Sequence, residues 1–149
     1  MRPIKWDRGR LSLLDQRALP EAFDYFVCES SSRVYEAIKK MVVRGAPAIG
    51  VAAAYGLVLA SKEADSKPLA DRKQYIIKRA EFLKSARPTA INLSWSLNLL
   101  LDLIRTLDAE SLTTALEKAA LRLDSQDYAS NVRMGEICLL YTSPSPRDS

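Results

Sequence analysis

Between Ala48 and Lys62 the chain runs through Ile49, Val51, Ala52, Ala53, Ala54, Leu57, Val58, Leu59 and Ala60. As a helix this stretch has almost no polar face, and a helix apolar on every side has to be surrounded by other elements. The rest of the chain must supply the wrapping. A second strongly apolar segment, Ala90 to Leu107, passes through Ile91, Trp95, Leu99, Leu100, Leu101, Leu103 and Ile104 and reads as another central helix. Three further segments have one apolar face each. Val34, Ile38, Met41 and Val42 mark the first. Tyr75, Ile76, Ala80 and Leu83 mark a helix over Asp71–Ala86. Leu112, Leu116, Ala119, Ala120 and Leu123 mark the last, which runs on past Tyr128 and Val132 to Met134. Helices this apolar are also expected to leave sticky surface where nothing covers them.

The helices are preceded by strand patterns. Apolar and polar residues alternate from Ile4 to Leu14 on both sides of Asp7-Arg8-Gly9, a hairpin signature in which Gly9 supplies a positive φ. Pro20 interrupts, and Phe23-Asp24-Tyr25-Phe26-Val27-Cys28 is rich in strand formers. The expected fold is α+β and mostly α: a small antiparallel sheet of three strands over residues 1–28, then a bundle of about five helices over 30–136. Ser30–Ser32 offer a cap for the first helix, with Glu36 expected in its first turn. Gly45 is expected to close that helix and Pro47 to open the next. Thr89 is the expected cap of the fourth helix, and Asp108 or Ser111 that of the fifth.

Composition narrows the function classes. The net charge is +4, with basic residues scattered among acids, so no nucleic-acid stripe is present and no nucleic-acid partner is expected. No uninterrupted apolar run reaches the ~20 residues of a membrane helix, and the charged start Met1-Arg2-Pro3-Ile4-Lys5 does not resemble a secretory signal. A cytoplasmic protein without membrane contact is the expectation. Histidine is absent, which removes histidine triads, ligands and proton shuttles. Cys28 and Cys138 lie far apart and are expected to be reduced thiols.

Three segments carry candidate chemistry. Val43-Arg44-Gly45-Ala46-Pro47-Ala48-Ile49-Gly50 places an arginine and a small-residue turn at the start of the buried helix, whose first N–H groups lack internal partners. A phosphate suits that position; on the pattern alone the simpler reading is a tight corner between helices, with Gly45 and Pro47 set by geometry and Gly50 by close packing. Ser85-Ala86-Arg87-Pro88-Thr89-Ala90 puts Arg87 just before another helix start, where it could converge on the same anion or merely face solvent. Asn92, in an otherwise apolar helix, is expected to make a core hydrogen bond. Asp15-Gln16-Arg17 either orders the strand exit by side-chain hydrogen bonds or is plain surface charge, the reading preferred on physical grounds. Lys39-Lys40 reads as a solvated face, and Trp6 and Trp95 as core.

From Ile137 onward the pattern changes. Two Ser-Pro steps, at Ser143 and Ser145, forbid regular helix. Residues 137–149 are expected to be disordered or non-native, and they resemble the translation of a sequencing-library adapter. Cys138 then has no chemical role.

Taken in order, Leu14-Asp15-Gln16-Arg17 with Leu19-Pro20, Met41-Val42-Val43-Arg44-Gly45-Ala46-Pro47-Ala48-Ile49-Gly50 with Ala52-Ala53-Ala54-Tyr55-Gly56, Arg87-Pro88-Thr89-Ala90-Ile91-Asn92-Leu93, and Met134-Gly135-Glu136 resemble the N-terminal part of the methylthioribose-1-phosphate isomerase family. The similarity spans about residues 1–136. It implies an aldose-to-ketose isomerase of methionine salvage that acts on 5-methylthioribose 1-phosphate. The wider family includes regulatory subunits of a translation-initiation exchange factor and ribose-1,5-bisphosphate isomerases, which generally lack the Asp15-Gln16-Arg17 trio in this form. The resemblance gives substrate contacts to Arg44, Gly45, Ala46 and Arg87 and needs no metal or organic cofactor. It places the family's catalytic cysteine and aspartate in a C-terminal Rossmann-like domain beyond the matching sequence. The partners it implies are a phosphorylated sugar and, for the full-length protein, a second copy in a homodimer. The present chain is expected to be an N-terminal piece, inactive alone. A helical interaction domain without a ligand is the remaining alternative.

Overall fold

The computed structural model describes residues 2–142, with side chains described through residue 127. Strands β1 (Ile4–Asp7), β2 (Arg10–Leu14) and β3 (Tyr25–Cys28) form an antiparallel sheet in the order β1-β2-β3. Five helices follow: α1 (Ser31–Lys39), α2 (Ala46–Glu63), α3 (Leu69–Lys84), α4 (Ile91–Thr106) and α5 (Leu112–Thr142).

The hairpin turns at Arg8 and Gly9, with φ of 49° and 83°. Positive φ at both central residues is what a two-residue turn matched to strand twist requires. The register pairs Ile4 with Leu13 and Trp6 with Leu11 across β1–β2, and Leu11 with Cys28 across β2–β3. Alternation therefore turns Ile4, Leu11, Leu13 and Cys28 onto one buried face.

Helix α2 is the axis of the bundle. It packs against α1, α3, α4 and α5 and touches β1, and every residue from Ile49 to Ser61 is buried. Gly50 is where α4 comes closest. A Cβ there would stand 3.0 Å from the Asn92 carbonyl oxygen, and the Ser96 hydroxyl donates to the Gly50 carbonyl at 2.7 Å.

Several local expectations are corrected. Ser30 does cap α1, its hydroxyl accepting from the Arg33 N–H at 3.2 Å. Glu36, however, is the sixth helical residue, beyond the first turn, and it pairs with Arg33 at 2.8 Å and Lys40 at 3.4 Å. The carboxylate at the start of α1 belongs instead to Glu63, which accepts from the Ser31 N–H at 2.7 Å and the Ser31 hydroxyl at 2.8 Å. Gly45 does not close α1. That helix ends at Lys40, with Met41 left-handed at φ 62°. The Val42 N–H bonds the Ala37 carbonyl at 2.9 Å and the Met41 N–H bonds that of Ile38 at 3.2 Å, which is the Schellman pair. Met41 is therefore outside the helix and exposed. Gly45 is the N-cap of α2, at φ 91° and ψ 131°, a region essentially reserved for glycine.

Thr89 makes no cap. The Arg87 carbonyl accepts from the Ala90 N–H at 3.0 Å, so Arg87–Ala90 is a turn with Pro88 second, and Ala90 is the N-cap of α4. Neither Asp108 nor Ser111 caps α5 with its side chain; Ala109–Ser111 is a 3₁₀ turn leading into it. Trp95 is not core. Helix α4 buries Leu93, Leu97, Leu100 and Ile104, and the stripe one residue out of phase, Ile91, Trp95 and Leu99, is 81%, 58% and 40% exposed. Helix α5 continues past residue 136 to Thr142, since no proline intervenes before Pro144; residues 143–149 and the side chain of Cys138 lie outside the described part.

Candidate functional site

The site begins at the corner before α2. The first helical bond runs from the Ile49 N–H to the Gly45 carbonyl at 3.0 Å. The Ala46 and Ala48 N–H groups therefore have no partner within the helix, and Pro47 has no N–H to satisfy. These amides carry the positive end of the α2 dipole. The corner is held from the sheet side: the Gln16 N–H donates to the Val42 carbonyl at 2.9 Å. Gln16 in turn is set by the Asp15–Arg17 pair. The Asp15 carboxylate accepts from the Arg17 N–H, Nε and Nη2 at 2.9, 2.9 and 2.8 Å, and hydrogen bonding from the Arg17 side chain holds the Asp15 carboxyl below the usual carboxylate range. The trio is thus ordered by side-chain hydrogen bonds at the strand exit, the alternative to the surface-charge reading preferred from sequence.

Arg44, Gly45, Pro47 and Ala48 line a hollow of about 250 Å³ together with Pro3, Leu14, Gln16, Val43 and Asp127. A larger groove of about 540 Å³ adjoins it, lined by Gly50, Val51, Ile91, Asn92, Trp95, Ser96, Leu123 and Gln126. Pro47 and Asp127 line both, so the two share a wall. Of the residues singled out from sequence, Arg44 and Gly45 stand in the smaller hollow. Ala46 is exposed at the first position of α2 and lines neither space. Arg87 is partly exposed in the turn before α4 and also lines neither, although Ile91 and Asn92 further along that element line the groove. Asn92 is half-buried at the groove wall and makes no core hydrogen bond among the described residues. Arg44 and Arg87 are ion-paired with no carboxylate among the described residues.

Sequence reasoning missed Asp127, and it named Gln16 only as a member of the Asp15-Gln16-Arg17 trio. Asp127 lay in an amphipathic helix with nothing local to distinguish it. Burial, with the nearby Asp124 carboxylate adding to it, raises the Asp127 carboxyl above its ordinary value. No group of three or more His, Cys, Asp or Glu side chains among the described residues could hold a metal ion, and no helix among them is long and apolar enough to cross a membrane.

Arg44, the Gly45 N-cap and Ala48 with its unpartnered amide thus line one hollow together with Asp127, at the start of the central helix of a helical domain. Residues 42–142 match the Initiation factor 2 subunit family, and the chain belongs to it. It is 43% identical over 137 residues to a methylthioribose-1-phosphate isomerase of Alkalilimnicola ehrlichii, covering 92% of this chain and 39% of that protein. It is 39% identical over 138 residues to a 5-deoxyribose 1-phosphate isomerase of Clostridium botulinum, covering 89% of this chain and 40% of that one. The 5-methylthioribose 1-phosphate isomerase of Pyrococcus horikoshii superposes with a TM-score of 0.84 at 33% identity, over 91% of this chain and 39% of that structure. The delta subunit of translation initiation factor eIF-2B from A. fulgidus does so with a TM-score of 0.79 at 36% identity, over 86% and 38%. The chain thus spans about two fifths of the length of the relatives it matches.

Proposed function

We propose that this chain is the substrate-holding part of a sugar-phosphate isomerase that converts 5-methylthioribose 1-phosphate to 5-methylthioribulose 1-phosphate. The observation that carries the reading is the corner at Arg44–Ala48. Arg44 with its forked guanidinium and Ala48 with its unpartnered helix amide line one hollow, donors that suit a phosphate, while the Asp127 carboxyl at its wall counts the other way. Two kinds of isomerase to which the chain is similar are named for pentoses carrying phosphate on C1 and lacking a hydroxyl on C5. The family resemblance assigns a substrate contact to Arg87 as well, which in this structure stands in the turn before α4 and lines neither hollow.

The chemistry requires a ring held closed by its own phosphate to open, and hydrogen then to move between C2 and C1. The role of this part is positioning; the cysteine and aspartate for proton or hydride movement belong to sequence beyond it. The purified chain is therefore expected to bind substrate without turning it over, and turnover would overturn that division of labour. Titration calorimetry tests the anion site. Arg44→Ala should weaken binding of inorganic phosphate and of 5-methylthioribose 1-phosphate by roughly tenfold or more, the scale of a lost charge-assisted hydrogen bond. Unchanged binding would remove the reading.

The similarity to the archaeal initiation-factor subunit favours a second reading, a regulatory subunit without catalysis. Failure of every sugar 1-phosphate to bind would favour it.

A further inference from the structure

The anion hollow accounts for one end of a substrate and leaves the larger groove beside it unassigned. That groove is walled by Pro47, Ile91 and Trp95 and meets the anion hollow along Pro47 and Asp127. Two of its residues are apolar side chains that the fold leaves open to water, Ile91 at 81% and Trp95 at 58% exposure. Exposed apolar surface next to a charged hollow is the arrangement expected for a ligand with an anionic end and an apolar end.

We infer that the two hollows form one bipartite site, in which the groove against Trp95 and Ile91 takes the apolar substituent on C5 of the sugar, and the Asp127 carboxylate at the shared wall accepts hydrogen bonds from the hydroxyls between the two ends. The inference rests on the phosphosugar reading above and extends it to orientation and specificity. The carboxylate is acceptor-only when ionised, and two vicinal hydroxyls can each donate to one of its oxygens. Its like charge opposes a bare phosphate, so it holds no advantage for the anion alone. Trp95 supplies a flat apolar face at little conformational cost, since an indole has only two rotatable bonds. A substituent such as methylthio or a methyl group gains by leaving water there, and a C5 hydroxyl gains nothing.

The test uses the 149-residue chain and three probes in titration calorimetry: inorganic phosphate, ribose 1-phosphate and 5-methylthioribose 1-phosphate. The methylthio compound should bind about tenfold more tightly than ribose 1-phosphate, the scale of burying one or two carbon-sized groups. Trp95→Ala should erase that preference, and Ile91→Ser should reduce it; both side chains are exposed, so the fold is not at stake. Asp127→Asn should weaken both sugar phosphates by roughly tenfold and leave inorganic phosphate bound no less tightly. Survival of the preference in Trp95→Ala, or a loss of phosphate binding in Asp127→Asn equal to the loss of sugar phosphate, would overturn the inference while leaving the anion site standing. If Arg44→Ala binds phosphate as the unsubstituted chain does, the anion site itself fails and this inference with it. A dimer in sedimentation that Trp95→Ala dissociates would assign the groove to a second copy and also overturn the proposal.

Discussion

Cys28 lies under the sheet opposite Leu11, with no exposed surface. Burial pushes its thiol from an ordinary value of 9.0 up to about 12. The folded state thus favours the neutral thiol more than the unfolded chain does. For a group raised on folding, the associated stability is complete below the unfolded value and is lost as pH climbs through the folded one. The free energy of unfolding should therefore fall between about pH 9 and pH 12, and Cys28→Ala should flatten that fall while lowering stability overall. Urea melts at several pH values measure both. In a Cys138→Ser background, a thiol reagent at neutral pH should leave Cys28 untouched until denaturant is added, and rapid modification of the native chain would contradict its burial. The structural role of Cys28 was legible from its isolation in the sequence. The role of Gln16 was not, because it depends on the Val42 carbonyl, a partner far along the chain. Asp127 was invisible for the same reason: its importance comes from the meeting of α5 with the start of α2, which no local pattern announces.

At the scale of elements, the signals that were read correctly are those whose physics is local. The hairpin follows from alternation and a turn that needs positive φ, the α1 cap from a serine hydroxyl within reach of the Arg33 N–H, and α2 from an apolar surface with no direction left for water. The signals misread involved competition between residues for one job. Gly45 looked like the end of α1, yet Met41 takes the left-handed position at φ 62° and frees Gly45 to start α2. A residue with a Cβ pays about 1–2 kcal/mol for that conformation. Met41→Gly should consequently raise stability by about 0.5–1 kcal/mol, after the extra backbone entropy of glycine is deducted. The Met41 side chain is exposed, so little burial is lost. Equilibrium urea unfolding reads the change directly, and a destabilised variant would mean that the methionine side chain contributes more than its exposure indicates. Helix α4 shows the other limit. Its apolar positions were legible, but which of them would be buried was not: Leu93, Leu97, Leu100, Leu101 and Ile104 turn inward, leaving Ile91, Trp95 and Leu99 outward.

Over the whole molecule, the sheet and the last helix are joined through the centre of the bundle by a polar network running between the chain's distant parts. Tyr55, fully buried on α2, stacks on Trp6 of β1 with ring centroids 4.8 Å apart. Its hydroxyl donates to Asp124 of α5 at 2.6 Å, and Arg2 donates to the other oxygen of that carboxylate at 3.0 Å. The Trp6 indole N–H donates to Glu117 at 2.8 Å. Burial, reinforced by the hydrogen bond to Asp124, raises the Tyr55 hydroxyl well above its ordinary value, so it stays a donor throughout the physiological range. Asp127 follows Asp124 by one turn of α5, so whatever fixes Asp124 also fixes the residue at the wall between the two hollows. Tyr55→Phe keeps the ring and removes only the donor. It leaves a buried carboxylate short of one partner, which costs about 1–3 kcal/mol. Asp124→Asn removes the charge instead. If the two residues act through their shared bond, the double variant should lose less than the sum of the single losses, by about 1 kcal/mol or more in a double-mutant cycle. The Tyr55→Phe chain should also bind 5-methylthioribose 1-phosphate more weakly while binding inorganic phosphate as before, because the displaced group is Asp127 and the Arg44 corner is untouched. Additive losses together with unaltered sugar-phosphate binding would mean that α5 is positioned by packing alone.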